Sequence, residues 1–261
     1  MAIKIHSTAI VSDKAKISDN VIIDAYAIIN DDVEIGEYTH IKAASYIDNG
    51  ARIGKGCIIG PNAVVSAPPQ DLSYKNEATL SFIGDETVLR EFSTVHRGTH
   101  ENGKTTVGSQ CLIMAYSHIA HDCKVGNGVI LSNATQIGGH VSVDDYAILG
   151  GVVKVHQFSN IGGYCMIGAD ARVVKDVPPF TLVSGKEPVK IEGINKVGLK
   201  RRNFSNETIK KLEDFYRVLI FSGLNTTDGI NKYIELNANS LISEVEYCIN
   251  FIKLSKRGIY R

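Results

Sequence analysis

The chain has 261 residues, 44% of them hydrophobic, with Lys plus Arg and Asp plus Glu equal at 28 each. That balance gives no net field to favour nucleic acid or a membrane surface as the main partner. No apolar run approaches the roughly 18 residues of a membrane span, the start MAIKIHSTAI lacks the apolar core of a signal peptide, and five cysteines without CxxC spacing argue against a disulfide framework, so a cytoplasmic protein without stable membrane insertion is expected.

Stepping by six from Ile5 to Val173 visits 29 positions, of which 26 are Ile, Val or Leu; the exceptions are Asp71, Glu77 and Glu101. An aliphatic residue every sixth place fits a parallel β-helix, in which each short strand turns one side chain inward and three hexads make one 18-residue coil of a triangular prism. Glycine often follows the aliphatic residue, as at Gly36, Gly54, Gly84, Gly108 and Gly138, where a missing side chain is expected to ease the corners. The pattern lapses near residues 66–82, which hold Pro68 and Pro69, and near 97–106; both segments are expected to leave the prism as loops. Cys57, Cys111, Cys123 and Cys165 share one repeat slot, four places after the aliphatic residue, and are expected to be buried, inert thiols.

The prism domain is expected over 1–190, its repeat ending at Pro178 and Pro179, which cannot continue a strand ladder. A helical domain is expected over 191–261. Ser205 caps a predicted helix running to about Phe221, Thr226 or Thr227 caps a second, and Ser240 opens a third reaching Lys256. This C-terminal part is the basic one, with 12 basic against 8 acidic residues.

The segment SHIAHDC, residues 117–123, places His118 and His121 three apart, with Asp122 after the second. On a helix that spacing would suggest a metal. On a coil of 18 residues, His121, Gly139 and Gln157 instead stack in one column, with Asp122, His140 and His156 beside it, while Ile119, Ile137 and Val155 fill the core. A histidine cluster then projects from one face. Histidine exchanges a proton near neutral pH and an adjacent carboxylate orients the ring, so acid–base chemistry is the expected use. The zinc carbonic anhydrases of this fold are expected to show HxxxxH rather than HxxH, so no metal is expected.

Together with PPQDLSY, TVHRGT, GGHVSVDD, VHQF, KDVPP and GLKRRNFS, these features closely resemble, nearly end to end, the UDP-N-acetylglucosamine O-acyltransferases that begin lipid A synthesis. The resemblance implies an all-β, left-handed parallel β-helix of hexapeptide repeats with a C-terminal α-helical domain, assembled as a homotrimer. It implies acyl transfer from acyl carrier protein to the 3-position of a UDP-sugar, without a cofactor. By position, His121 would be the general base and Asp122 its orienting partner. Gln70, Asp71, Ser73 and His118 would lie near the acceptor sugar, and His140, His156 and Gln157 around the sugar and nucleotide. Asn195, Arg201 and Arg202 would contact nucleotide and phosphate, and Ala169 falls in the region that measures acyl-chain length. Two positions depart from the family: Ser73 stands where lysine is frequent and Val197 where glutamate is common. Loss of the cation leaves a 3-amino acceptor, giving an amide, as an alternative; a CoA-dependent acetyltransferase on the same prism is another.

Overall fold

The computed structural model describes residues 3–185, 187–238 and 240–261. Short strands, mostly of two residues, repeat every six residues and stack in parallel into three sheets, of 11, 9 and 8 strands among the described residues. Here they are called the first, second and third sheet, in the order in which each coil visits them. The hexad aliphatics form the core, with Ile41, Ile47, Ile59, Leu89, Ile113, Ile119 and Leu149 all at 0% exposure. Each removed from water contributes roughly 1.5–3 kcal/mol.

Each coil's backbone N–H groups donate to the next coil, as from Ile22 N to Thr39 O at 3.0 Å and from His40 N to Cys57 O at 2.8 Å. In the second sheet the pairing partner of Val65 is Val95 and that of Val95 is Ile119, then Ile119 pairs with Ile137. The two loops therefore add twelve and six residues. Both are multiples of six, so the aliphatic phase survives while the 18-residue column does not.

The slot that holds four cysteines is buried, and its small polar side chains bond to the coil above. Thr39 Oγ1 and Ser45 Oγ donate to the carbonyls of Gly54 and Gly60 at 2.8 Å, and the Cys123 thiol does so to Gly138 O at 3.1 Å. Burial pushes the Cys123 thiol up to about 12, which keeps it protonated and inert.

The hexad glycines serve a different purpose from the one expected. Left-handed backbone falls two residues later, at non-glycine positions such as Tyr26, Tyr38, Asp122 (φ 58°) and His140 (φ 59°). The hexad glycine is instead needed for close stacking, since a Cβ on Gly108 would lie 2.6 Å from the Gly126 carbonyl carbon.

The repeat runs one rung past Pro178 and Pro179, because Thr181–Val183 still pairs in parallel with Met166–Ile167. Ile191–Ile194 then pairs with it antiparallel. Four helices follow among the described residues: α1 (Lys196–Arg201), α2 (Asn206–Phe221), α3 (Thr226–Asn237) and α4 (Ser243–Leu254). Ser205 caps α2 as expected, its hydroxyl accepting from Thr208 N. The α3 cap is Asn225, whose side-chain oxygen accepts from Asp228 N and so displaces the threonines. The last helix starts three residues after Ser240 and stops short of Lys256, and α1 was not anticipated. The tail closes the prism's end: Gly258 O accepts from Asp176 N, and the buried Asp176 carboxylate accepts from Ser255 Oγ and Asn160 N. Tyr247 of α4 donates to Asp144 at 2.5 Å and accepts from Gly163 N. No described helix is long and apolar enough to cross a membrane.

Candidate active site

His121 and Asp122 form the corner between His118–Ile119 of the second sheet and Lys124–Val125 of the third. Asp122 adopts left-handed backbone there, which brings its carboxylate back beside the preceding ring. His121 Nδ1 lies 2.9 Å from Asp122 Oδ2. A carboxylate accepts only, so Nδ1 carries a proton, and in the neutral form of the ring Nε2 keeps its lone pair.

Asp122 is fixed in turn by Thr99, whose hydroxyl donates to Oδ2 at 2.7 Å and whose backbone N–H does so at 3.1 Å. Burial alone would raise this carboxyl's pKa, but the Thr99 and His121 bonds outweigh it and the net shift is downward. On the other side of the ring, Asp71 Oδ2 faces His121 Nε2 at 3.6 Å, too long for a hydrogen bond. Ser73 holds Asp71 from below, donating to Oδ1 from its hydroxyl at 2.6 Å and from its N–H at 2.8 Å, and these bonds keep the Asp71 carboxyl below its usual range.

The column continues along the same edge. The His121 and His140 rings meet edge to face at 5.2 Å, and His140 stacks on Phe158 at 4.7 Å. His118 projects from the second sheet, with Nδ1 2.7 Å from Thr94 Oγ1 and its ring edge-on to His96. Burial, with His121 close by, lowers the His118 pKa and favours its neutral form. His156 and Gln157 are exposed beside Phe158, the His156 Nδ1–H donating to Gln157 O at 3.0 Å. Gln70 is exposed on the loop that carries Asp71.

The remaining expected residues do not join this cluster within one chain. Arg202 follows α1 and lies 3.9 Å over the Tyr146 ring, at the corner between the third sheet and the first, one full sheet away from His121. Arg201 is exposed beside it. Ala169 is exposed at the third corner, next to Asp170. Asn195 is committed to the fold: its Oδ1 accepts from Gly198 N to cap α1 and its Nδ2 donates to Tyr164 O, with the residue only 9% exposed. A groove of about 610 Å³ runs along the third sheet past Lys124, Ser142, Tyr164 and Tyr247 and does not include His121.

Three ligand atoms, from His121, Asp122 and His140, lie within 4.8 Å of one another. The shared Asp122 Oδ2 already accepts from Thr99 and His121. Sequence reasoning passed over Thr99, Arg97, His96 and Phe158. Their signal was the HRGT run, which leads from the strand Thr94–His96 into a loop, and an aromatic at the left-handed corner one coil from His140.

The hexapeptide model described as bacterial transferase hexapeptide (six repeats) matches residues 14–49 and 104–135, and that described as Udp N-acetylglucosamine O-acyltransferase, domain 2, matches residues 176–260. The chain is 44% identical over 259 residues to the acyl-acyl-carrier-protein–UDP-N-acetylglucosamine O-acyltransferase of Syntrophobacter fumaroxidans, covering 99% of this chain and 100% of that one. It superimposes on LpxA, a UDP-N-acetylglucosamine acyltransferase from Bacteroides fragilis 9343, with a TM-score of 0.95 at 43% identity, covering 98% and 100% of the two chains. The Francisella novicida UDP-N-acetylglucosamine acyltransferase gives 0.92 at 40% identity, covering 98% and 94%. The prism is thus a left-handed β-helix with a C-terminal helical region. With both halves matched and full-length relatives above 40% identity, the chain belongs to the UDP-N-acetylglucosamine O-acyltransferase family.

Proposed function

We propose that the His121 edge carries out the family's reaction, transfer of a 3-hydroxyacyl chain from acyl carrier protein to the 3-hydroxyl of UDP-N-acetylglucosamine, the first step of lipid A biosynthesis. The observation that carries this reading is the Asp122–His121–Asp71 line, with a protonated Nδ1 anchored at 2.9 Å and a free Nε2 facing a carboxylate 3.6 Å away. A sugar bound by Asp71 would present its 3-hydroxyl to Nε2. His121 takes that proton as the oxygen attacks the thioester carbonyl, the carbon–sulfur bond then breaks, and the imidazolium returns the proton to the departing thiolate. The products are an ester and the free carrier thiol, with Asp122 supporting the imidazolium between the two steps.

His118, His140, His156, Gln157 and Gln70 border the same edge and are assigned to the acceptor. Arg201 and Arg202 suit a diphosphate through their planar donor forks. Because Arg202 lies a full sheet away from His121, a site using both takes them from two chains, which supports a homotrimer with its sites between subunits. The basic C-terminal part complements an acidic carrier, and the cytoplasm, where soluble carrier and nucleotide sugar meet, is the assigned location.

Mass spectrometry of products from UDP-N-acetylglucosamine and a panel of acyl-carrier donors tests the reaction. A 3-O-acyl product with release of carrier thiol supports it, and no product at any chain length counts against it. Co-expressing His121→Ala with Arg202→Ala tests the shared site: activity regained in mixed oligomers is expected, and none regained contradicts it.

A further inference from the structure

We infer that Arg97 is a positioning residue for the acceptor sugar, acting through Tyr74 to hold Asp71 opposite His121; this rests on the assignment of Asp71 to the acceptor. Residues 68–79 form no strand or helix, so the loop bearing Asp71 needs an anchor from outside itself. Arg97 supplies it. Its Nε and Nη2 both donate to the Tyr74 hydroxyl oxygen, at 3.2 and 3.1 Å, while its Nη1 donates to Ser66 O at 2.9 Å, Asn49 O at 3.1 Å and Asp48 Oδ2 at 3.3 Å. One side of the guanidinium therefore grips the prism and the other grips the loop. The Tyr74 hydroxyl donates onward to Glu77 O, and Tyr74 N closes a turn on Asp71 O at 3.2 Å.

Two residues after Arg97, Thr99 fixes Asp122. The single run Arg97–Gly98–Thr99 thus sets both carboxylates that flank the His121 ring, Asp122 at Nδ1 and, through Tyr74, Asp71 at Nε2. A rigid fork of five donors can serve four acceptors at once, and a lysine ammonium cannot reproduce that geometry.

Removing Arg97 outright would leave the Asp48 carboxylate, only 8% exposed, without its cation and could unfold the coil. Tyr74→Phe avoids this by removing only the loop's hydroxyl and leaving Arg97 on Asp48 and the prism carbonyls. Steady-state kinetics of the full-length protein with UDP-N-acetylglucosamine and acyl-acyl carrier protein would compare Tyr74→Phe, Asp71→Asn and the double variant. Losing this hydroxyl, with the two bonds it accepts from Arg97 and the one it donates to Glu77 O, is expected to raise the UDP-sugar KM about 10-fold with kcat nearly unchanged. Arg97→Lys is expected to match Tyr74→Phe. If Tyr74 acts through Asp71, the double variant has the KM of Asp71→Asn alone. Multiplying effects in the double variant overturn the inference, as does an unchanged KM in Tyr74→Phe beside a raised one in Asp71→Asn. An unchanged KM in Asp71→Asn itself overturns the Asp71 assignment instead, and the inference with it.

Discussion

The His121 imidazole lies over Gly139, so closely that a Cβ at residue 139 would stand 2.5 Å from the ring's Cε1 and 2.6 Å from Nε2. The two residues are 18 apart, one coil, and the glycine leaves room for the imidazole to reach Asp122 with its Nδ1.

Gly139→Ala should therefore displace the base without disturbing the core. The neighbour that must shift is the His121 ring, the proposed base, rather than backbone, so kcat is expected to fall by about 10- to 100-fold, consistent with the sensitivity of catalysis to small displacements, while the unfolding temperature changes little. Kinetics and a thermal melt on the same preparation check both halves; near wild-type kcat would show that the ring tolerates the shift.

Asp122→Asn should cost more activity than Thr99→Val. The first removes the charge that supports the imidazolium and frees the ring tautomer, and the second removes one 2.7 Å bond to that carboxylate. Losses of roughly 10²- to 10⁴-fold and 2- to 10-fold in kcat are expected. Equal losses in the two variants would contradict the arrangement.

Ser73 gives its hydroxyl to Asp71, so its influence on the acceptor runs through that carboxylate. In competition between UDP-N-acetylglucosamine and its 3-amino analogue, ester is expected to exceed amide. Ser73→Ala should raise the KM for both about 2- to 10-fold and leave their product ratio unchanged. A product ratio that moves with the substitution would give Ser73 a direct part in choosing the acceptor.

Acid stability offers a test away from turnover. His96 is 6% exposed, and burial, helped by His118, His121 and Arg97, pushes its pKa from 6.5 to about 4. The unfolded chain binds this proton below pH 6.5 and the folded chain only below about 4, so stability falls as pH drops through that window and is fully present above it. The shift corresponds to at most about 3 kcal/mol. Urea unfolding at pH 7 and pH 4.5 should show a smaller loss in His96→Gln than in the wild type; identical losses would remove His96 from the account.

The sequence shows the prism with little ambiguity because one aliphatic every six residues is a backbone-level signal, and Ile119, Ile137 and Val155 sit inside as the period requires. The His121–Gly139–Gln157 column follows from the same arithmetic. Arg97 and Thr99 were hidden because they act across loops of twelve and six extra residues, where the period says nothing about contact. Asn195 shows the opposite limit: its position in a family motif suggests a nucleotide contact, and nothing in the period discloses its second task, capping α1 through its side-chain oxygen and reaching Tyr164 O through its nitrogen. The α4 start was misplaced because Ser240 offers a hydroxyl but the chain between it and Ser243 stays extended at Ile242.

Removal of the acceptor's proton by His121 Nε2 is tested most directly by single-turnover acyl transfer in His121→Ala, with UDP-sugar affinity measured separately by calorimetry. The expected result is a rate lower by about 10²- to 10⁴-fold with affinity largely retained. A variant that transfers the acyl chain at near wild-type rate would contradict it.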